Sequence, residues 1–200
     1  ATVNLTATPA SGSTFAGWSP SPCAASFTMP ANNLTCTATF NQSGQTIGAA
    51  VGVFRAGTWF LDANGNGAWD GCQQDGGLDL CLFGSFGIAG DLPVAGDWNG
   101  DGKAKVGVFR NGTWYLDYNG NGAWDGCGID RCYYGSFGQA GDLPAAGDWN
   151  GDGKAKVGVF RNGTWYLDYN GNGAWDGCGI DRCYYGSFGI KGDLPVAGRW

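Results

Sequence analysis

Two hundred residues suffice for one large or two small domains with a buried core. The chain carries a formal charge of −6, 39 glycines, ten tryptophans and no histidine, and its 17 acidic residues are all aspartate, a turn and cap former rather than a helix former. That balance argues against nucleic acid, which is gripped by clustered Lys and Arg. No apolar run is long enough to span a membrane and no 3.6-residue apolar period occurs, so the composition reads as a soluble, glycine-punctuated all-β protein.

Residues 1–43 are rich in Thr, Ser, Ala and Asn and alternate apolar positions such as Val3, Leu5 and Ala7. This predicts a small β domain with Phe15, Trp18, Phe27 and Phe40 as its core. Some forty residues are marginal for independent folding even with Cys23 and Cys36 as a staple. The start at Ala1 without a leader suggests a processed or excised form. Residues 44–50 read as a linker.

From Val51 the chain repeats, in units 51–105, 106–156 and 157–200. VGVFRAGTWFLDANGNGAWDGC begins at Val51; VGVFRNGTWYLDYNGNGAWDGC begins at Val106 and again at Val157. The first unit is four residues longer, with the excess between Cys72 and Cys81, which marks that segment as a surface loop. Such a period indicates a propeller, solenoid or array whose units need neighbours to bury their faces. Within a unit four short strands are predicted: Val106–Arg110, Thr113–Asp117, one through Cys132–Tyr134, and one around Ala145–Trp149. Asn111-Gly112 is a type I′ hairpin signal. The fold class is therefore all-β, three four-stranded, propeller-blade-like repeats after a small domain. Trp114, Trp124 and Trp149 are expected in the core and between blades. Arg199 stands where earlier units have Asp97 and Asp148, so Trp200 is expected to end the array. Three units fall short of the four to eight blades of a closed propeller, which leaves pairing with another chain, linear stacking or a small assembly.

The eight cysteines fall into four close pairs: Cys23 with Cys36, Cys72 with Cys81, Cys127 with Cys132, and Cys178 with Cys183. Local, even spacing reads as disulfides and an oxidising compartment; the rival, zinc, lacks histidine and C-x2-C spacing.

Two aspartate-rich loops recur. The first has the pattern D-x-N-x-N-G-x-W-D. It comprises Asp62, Asn64, Asn66, Ala68 and Asp70; then Asp117, Asn119, Asn121, Ala123 and Asp125; then Asp168, Asn170, Asn172, Ala174 and Asp176. Side-chain oxygens at positions 1, 3, 5 and 9, a carbonyl at 7 and a glycine at 6 suit Ca²⁺. The alternative is a metal-free Asx turn. Three Ca²⁺ would offset the net −6. The second loop is Asp97, Asn99, Asp101, Lys103 and Lys105, repeated as Asp148, Asn150, Asp152, Lys154 and Lys156. Lysine at position 9 either neutralises the aspartates in place of a metal or swings out and leaves a weaker calcium site.

Without histidine there is no Ser-His or Cys-His pair. Paired aspartates could serve glycoside hydrolysis, but their recurrence in every unit points to ion ligation, so no enzyme is expected. Sequons at Asn4, Asn33, Asn41, Asn111 and Asn162 are low-information in so Asn- and Thr-rich a chain.

The units, through GVFRNGTWYLDYNGNGAWDG and GDLPAAGDWNGDGKAKVGVFR, resemble VCBS/FG-GAP-like repeats of bacterial and archaeal surface and secreted proteins. The resemblance implies propeller-type blades and calcium in the D-x-[DN]-x-[DN]-G-x-x-D loops; Lys105 and Lys156 depart from it. Residues 1–40 resemble the second half of a divergent internalin-type B-repeat, without its first strands, which implies an incomplete domain, cut from a longer chain or completed by a neighbour. The expectation is an extracellular, cell-surface, structural or adhesive calcium-binding protein that self-associates head-to-tail or by completing a ring, as in a surface filament. The alternatives are a calcium-dependent lectin, its aromatics stacking on glycans, and a passive spacer.

Overall fold

A computed structural model describes residues 2–9, 13–42 and 50–198. The expected linker, apart from Ala50, lies outside the described residues, as do Arg199 and Trp200. By contacts the chain forms two units, Ala1–Val51 with Asp62–Ala68, and Gly52–Leu61 with Trp69–Trp200.

In the first unit β1 (Thr2–Asn4) pairs antiparallel with β3 (Ser26–Thr28), and β2 (Ser13–Ser19) with β4 (Thr37–Gln42), with a bulge between Phe15 and Gly17. The Cys23–Cys36 disulfide joins the stretches before β3 and β4. The expected aromatic core is thinner than its sequence suggested. Phe15 meets Trp18 at 5.5 Å yet stays exposed, and Phe27 is half-buried. The side chain of Phe40 lies outside the described residues. Short strands in two-stranded sheets offer little area to cover an aromatic ring.

The second unit is all-β: β5 (Gly52–Arg55), β6 (Thr58–Leu61), β7 (Leu80–Phe83), β8 (Leu92–Gly96), β9 (Lys105–Arg110), β10 (Thr113–Leu116), β11 (Arg131–Tyr134), β12 (Leu143–Gly147), β13 (Lys156–Arg161), β14 (Thr164–Leu167) and β15 (Arg182–Tyr185). The Asn111-Gly112 hairpin forms with φ of 49° and 90°, as a type I′ turn needs. The one helix among the described residues is a 3-10 turn, Gln73–Asp75, inside the longer cysteine-closed loop. No described helix is long and apolar enough to cross a membrane.

The strands assemble in a different phase from that read in the sequence. The fourth strand of the first unit and that of the second each join the sheet of the following unit, giving β5-β6-β7, β8-β9-β10-β11 and β12-β13-β14-β15. The cause is local. The DWNGDGKA segment returns the chain antiparallel, so Gly96 faces Lys105 and Leu92 faces Phe109. Pairing of consecutive strands is the easiest closure available to the chain.

The cores lie between successive sheets. One gathers Trp59, Leu82, Phe86, Val106 and Val108; the next gathers Val94, Trp98, Phe109, Trp114, Phe137, Val157 and Val159. Burial therefore depends on a neighbour: Val108 is 1 % exposed, while Val53, in the same motif of β5, is 55 % exposed.

Candidate functional site

Each DxNxNG loop is wound around its first aspartate. Asp117 Oδ1 accepts the Gly120 N–H at 2.7 Å and Oδ2 the Gly122 N–H at 2.8 Å; Asp168 does the same with Gly171 and Gly173. Positive φ at Gly120 and Gly122 (79° and 73°) turns the chain back on the carboxylate. Asn119 and Asn121 Nδ2 both donate to Asp125 Oδ2, at 2.9 and 2.6 Å. Positions 1, 3, 5 and 9 of the motif thus share one loop, as their spacing predicted. In the first copy Asp62 accepts the N–H groups of Gly65, Asn66 and Gly67.

A residue outside the motif completes the arrangement. Asp130, buried, accepts the Tyr118 N–H at 3.0 Å and the Asp125 N–H at 2.9 Å, clamping both ends of the loop. Asp181 repeats this on Tyr169 and Asp176. Asp79 accepts the Asp70 N–H, while its buried Oδ1 has no hydrogen-bond partner. The recurrence of an aspartate two residues before the second cysteine of the pair in each of the three repeats was the available signal.

Asp117 and Asp130 are both buried, and neither forms an ion pair among the described residues. Burial, reinforced by the Asp130 charge, pushes the Asp117 carboxyl above the usual range; burial and Asp181 do the same to Asp168. Two buried carboxylates held only by N–H groups form a site short of positive charge, and Ca²⁺ fits that deficit. Asp117, Asn119, Asn121 and Asp125 with the Ala123 carbonyl would hold it, the ion supplying charge neutralisation. No group of three or more His, Cys, Asp or Glu gathers in metal-holding geometry among the described residues.

The DWNGDGKAK loops share the winding but not the deficit. Asp97 accepts the Gly100 and Gly102 N–H groups, while the Lys105 Nζ lies 2.6 Å from Asp101 Oδ1, 3.3 Å from Asp97 Oδ1 and 2.9 Å from the Lys103 carbonyl. Lys156 repeats this with Asp152, Asp148 and Lys154. Both side chains are buried. Three ammonium hydrogens meet the oxygens of loop positions 1, 5 and 7, the oxygens a metal would use. The hydrogen bond from Lys105, with the Lys103 N–H, holds the Asp101 carboxyl down at about 2, and Lys156 does the same for Asp152. Calcium does not fit beside an ammonium already inside the loop.

Both loop types sit at joints between repeats. Ser85 Oγ donates to the Gly122 carbonyl at 2.8 Å and the Trp124 N–H donates to the Ser85 carbonyl; Ser136 does the same with Gly173 and Trp175. Phe86 and Phe137 pack edge-on against Trp124 and Trp175, each at 5.9 Å. Arg110 closes the joint with a bidentate pair to buried Asp91 at 2.6 and 2.8 Å, and Arg161 with Asp142. Between the second and third repeats a cavity of about 230 Å³ is lined by Tyr118, Arg131, Tyr133, Asp152, Asp168 and Asn170, among others.

All eight cysteines are disulfide-bonded in the expected pairs: Cys23 bonds Cys36, Cys72 bonds Cys81, Cys127 bonds Cys132, and Cys178 bonds Cys183. In the repeats the second cysteine lies on a strand. Cys81 faces Phe60, Cys132 faces Tyr115 and Cys183 faces Tyr166 across β7, β11 and β15. Each bond therefore ties the end of a DxNxNG loop to the sheet beside it. Residues 1–44 match the family described as "Divergent InlB B-repeat domain". No curated protein and no solved structure matches the chain significantly.

Proposed function

We propose that the chain is an extracellular structural or adhesive protein whose VCBS/FG-GAP-like repeats are stiffened by calcium, and that it self-associates as a subunit of a bacterial-type surface filament. One observation carries the reading: the loop with the uncompensated carboxylates, Asp117 and Asp168 with Asp130 and Asp181, is the loop that the preceding repeat grips through Ser85 and Ser136. An ion there neutralises the loop and fixes the angle between repeats together. Calcium is assigned to the three DxNxNG loops and not to the lysine-filled ones. Four disulfides and the B-repeat-like start suit an extracellular setting.

A lectin reading draws on the aromatic and charged lining of the 230 Å³ cavity, to which a glycan could hydrogen-bond. Against it, the tryptophans recur as packing groups, with Trp59, Trp114 and Trp165 each donating an Nε1–H to a phenylalanine carbonyl.

Negative-stain electron microscopy at matched protein concentration, with millimolar calcium and with chelator, tests the proposal. Filaments or rings that require calcium support it. Isolated particles in both conditions sink the filament role, and glycan-array binding lost with the metal would then favour the lectin.

A further inference from the structure

The joint between repeats exists twice inside the chain, and among the described residues both halves of a third copy are left open. At each internal joint the G-S-F turn and the following strand of one repeat meet the first strand of the next. β8 pairs with β9 in the register Leu92 to Phe109, Pro93 to Val108, Val94 to Gly107. Arg110 from β9 reaches back to Asp91, and Phe86 is fully covered.

Residues 187–198 read SFGIKGDLPVAG, and residues 85–96 read SFGIAGDLPVAG; they differ only at Lys191. The segment Leu194–Gly198 nevertheless forms no strand. Phe188 is 80 % exposed where Phe86 and Phe137 are 0 % and 1 % exposed, and Val196 is 69 % exposed where Val94 is 8 % exposed. The turn is already shaped, since Trp165 Nε1 donates to the Phe188 carbonyl at 2.9 Å. Asp193 accepts the Ile190 N–H at 2.9 Å just as Asp91 accepts that of Ile88 at 2.8 Å.

The opposite half is open as well. Residues 51–55 are VGVFR, identical to 106–110. Their sheet has three strands where the other two have four, and β5 is its edge. Arg55 lies over the Phe60 ring at 5.4 Å, as Arg110 lies over Tyr115 at 5.0 Å. Among the described residues neither Arg55 nor Asp193 has an ion-pair partner.

We propose that residues 187–198 of one chain dock on β5 of a second copy, with Leu194–Gly198 adding the missing fourth strand and Asp193 taking Arg55. This rests on the reading of the chain as a self-associating subunit and names the interface that joins it. The register carried over from β8 and β9 sets Leu194 against Phe54, Pro195 against Val53 and Val196 against Gly52. Phe188 then fills the place over Val53 and Trp69 that Phe86 fills over Val108 and Trp124. The contact uses different patches on the two copies, so it propagates as a filament or closes as a ring, and backbone pairing at an open sheet edge is a known route to both.

A charge swap tests this in the full chain, with mass measured by light scattering in calcium. Wild type is expected to polymerise, Arg55→Glu and Asp193→Arg each to stop it, and Arg55→Glu/Asp193→Arg in one chain to restore it. Mixing the two single variants should restore polymers in which the two alternate, because one is acidic and the other basic at both positions, so each repels itself and pairs with the other at both ends. A synthetic peptide of residues 187–198 in excess should dissolve wild-type polymers. Polymers that survive both single variants and the peptide overturn this interface while leaving the filament role standing. A wild type that is monomeric in all conditions and does not bind the peptide overturns both.

Discussion

Ser136 Oγ donates to the Gly173 carbonyl at 2.6 Å, across the boundary between two repeats. The same glycine lies against Tyr133, whose ring would overlap a Cβ placed on it. A single small residue therefore serves both the winding of a loop and the seating of one repeat on another.

Ser136→Ala is expected to cost about 1 kcal/mol, the worth of one hydrogen bond. Gly173→Ala forces Tyr133 away and should cost roughly 1–3 kcal/mol from overpacking in addition to the strain of its 73° φ. Gly67→Ala shares that φ, but its Cβ meets nothing within 4 Å, so it should show the strain alone. Urea denaturation of the three variants separates the two effects.

Phe137 and Phe188 occupy the same place in successive repeats. Phe137→Ala is expected to destabilise by about 3–5 kcal/mol. Phe188→Ala should leave the unfolding midpoint of the monomer within about 0.5 kcal/mol, as exposed positions do, while abolishing association. Chemical denaturation and sedimentation, run side by side, check the pair.

Native mass spectrometry should count three calcium ions on the wild type, two on Asp117→Asn and four on Lys105→Asp, which restores a carboxylate at position 9. Five ions on the wild type would overturn the assignment of the lysine as the loop's cation. At calcium 100-fold above Kd, each site should raise stability by about 2.7 kcal/mol, removed by chelator.

Asp101 and Asp152 are held at about 2, below the unfolded carboxylate near 3.9. A depressed carboxylate stabilises the fold fully above its unfolded value, and that contribution is lost as pH falls toward the folded one. Unfolding midpoints in metal-free buffer should therefore drop between about pH 4 and 2. In Lys105→Met/Lys156→Met that part of the slope should flatten, which thermal melts across the range will show.

Ala56 takes the left-handed conformation, φ 49°, that Asn111 and Asn162 take in the other hairpins. Asparagine tolerates this region and alanine does not. Ala56→Asn should stabilise by roughly 0.5–1 kcal/mol, read from the urea midpoint.

The local chemistry of this chain was written in its sequence. Asn-Gly turns, cysteine pairs and Asp-Asn-Gly loops are set by φ preferences and by side chains that bond their own backbone within a few residues, so spacing alone placed Asp117 with Asn119, Asn121 and Asp125, and Cys178 with Cys183. The B-repeat likeness of residues 1–40 came from resemblance to a family rather than from spacing, and the family match covers residues 1–44. What needed the tertiary structure was everything decided between segments. Spacing could not say that β8 belongs to the sheet of the next repeat, because that depends on competition between partners. It left open whether Lys105 points in or out, which burial in the loop decided. Asp130 as a clamp, and Val53 and Val108 as exposed and buried copies of one motif, follow from which neighbour is present, and an identical motif carries no mark of its neighbour.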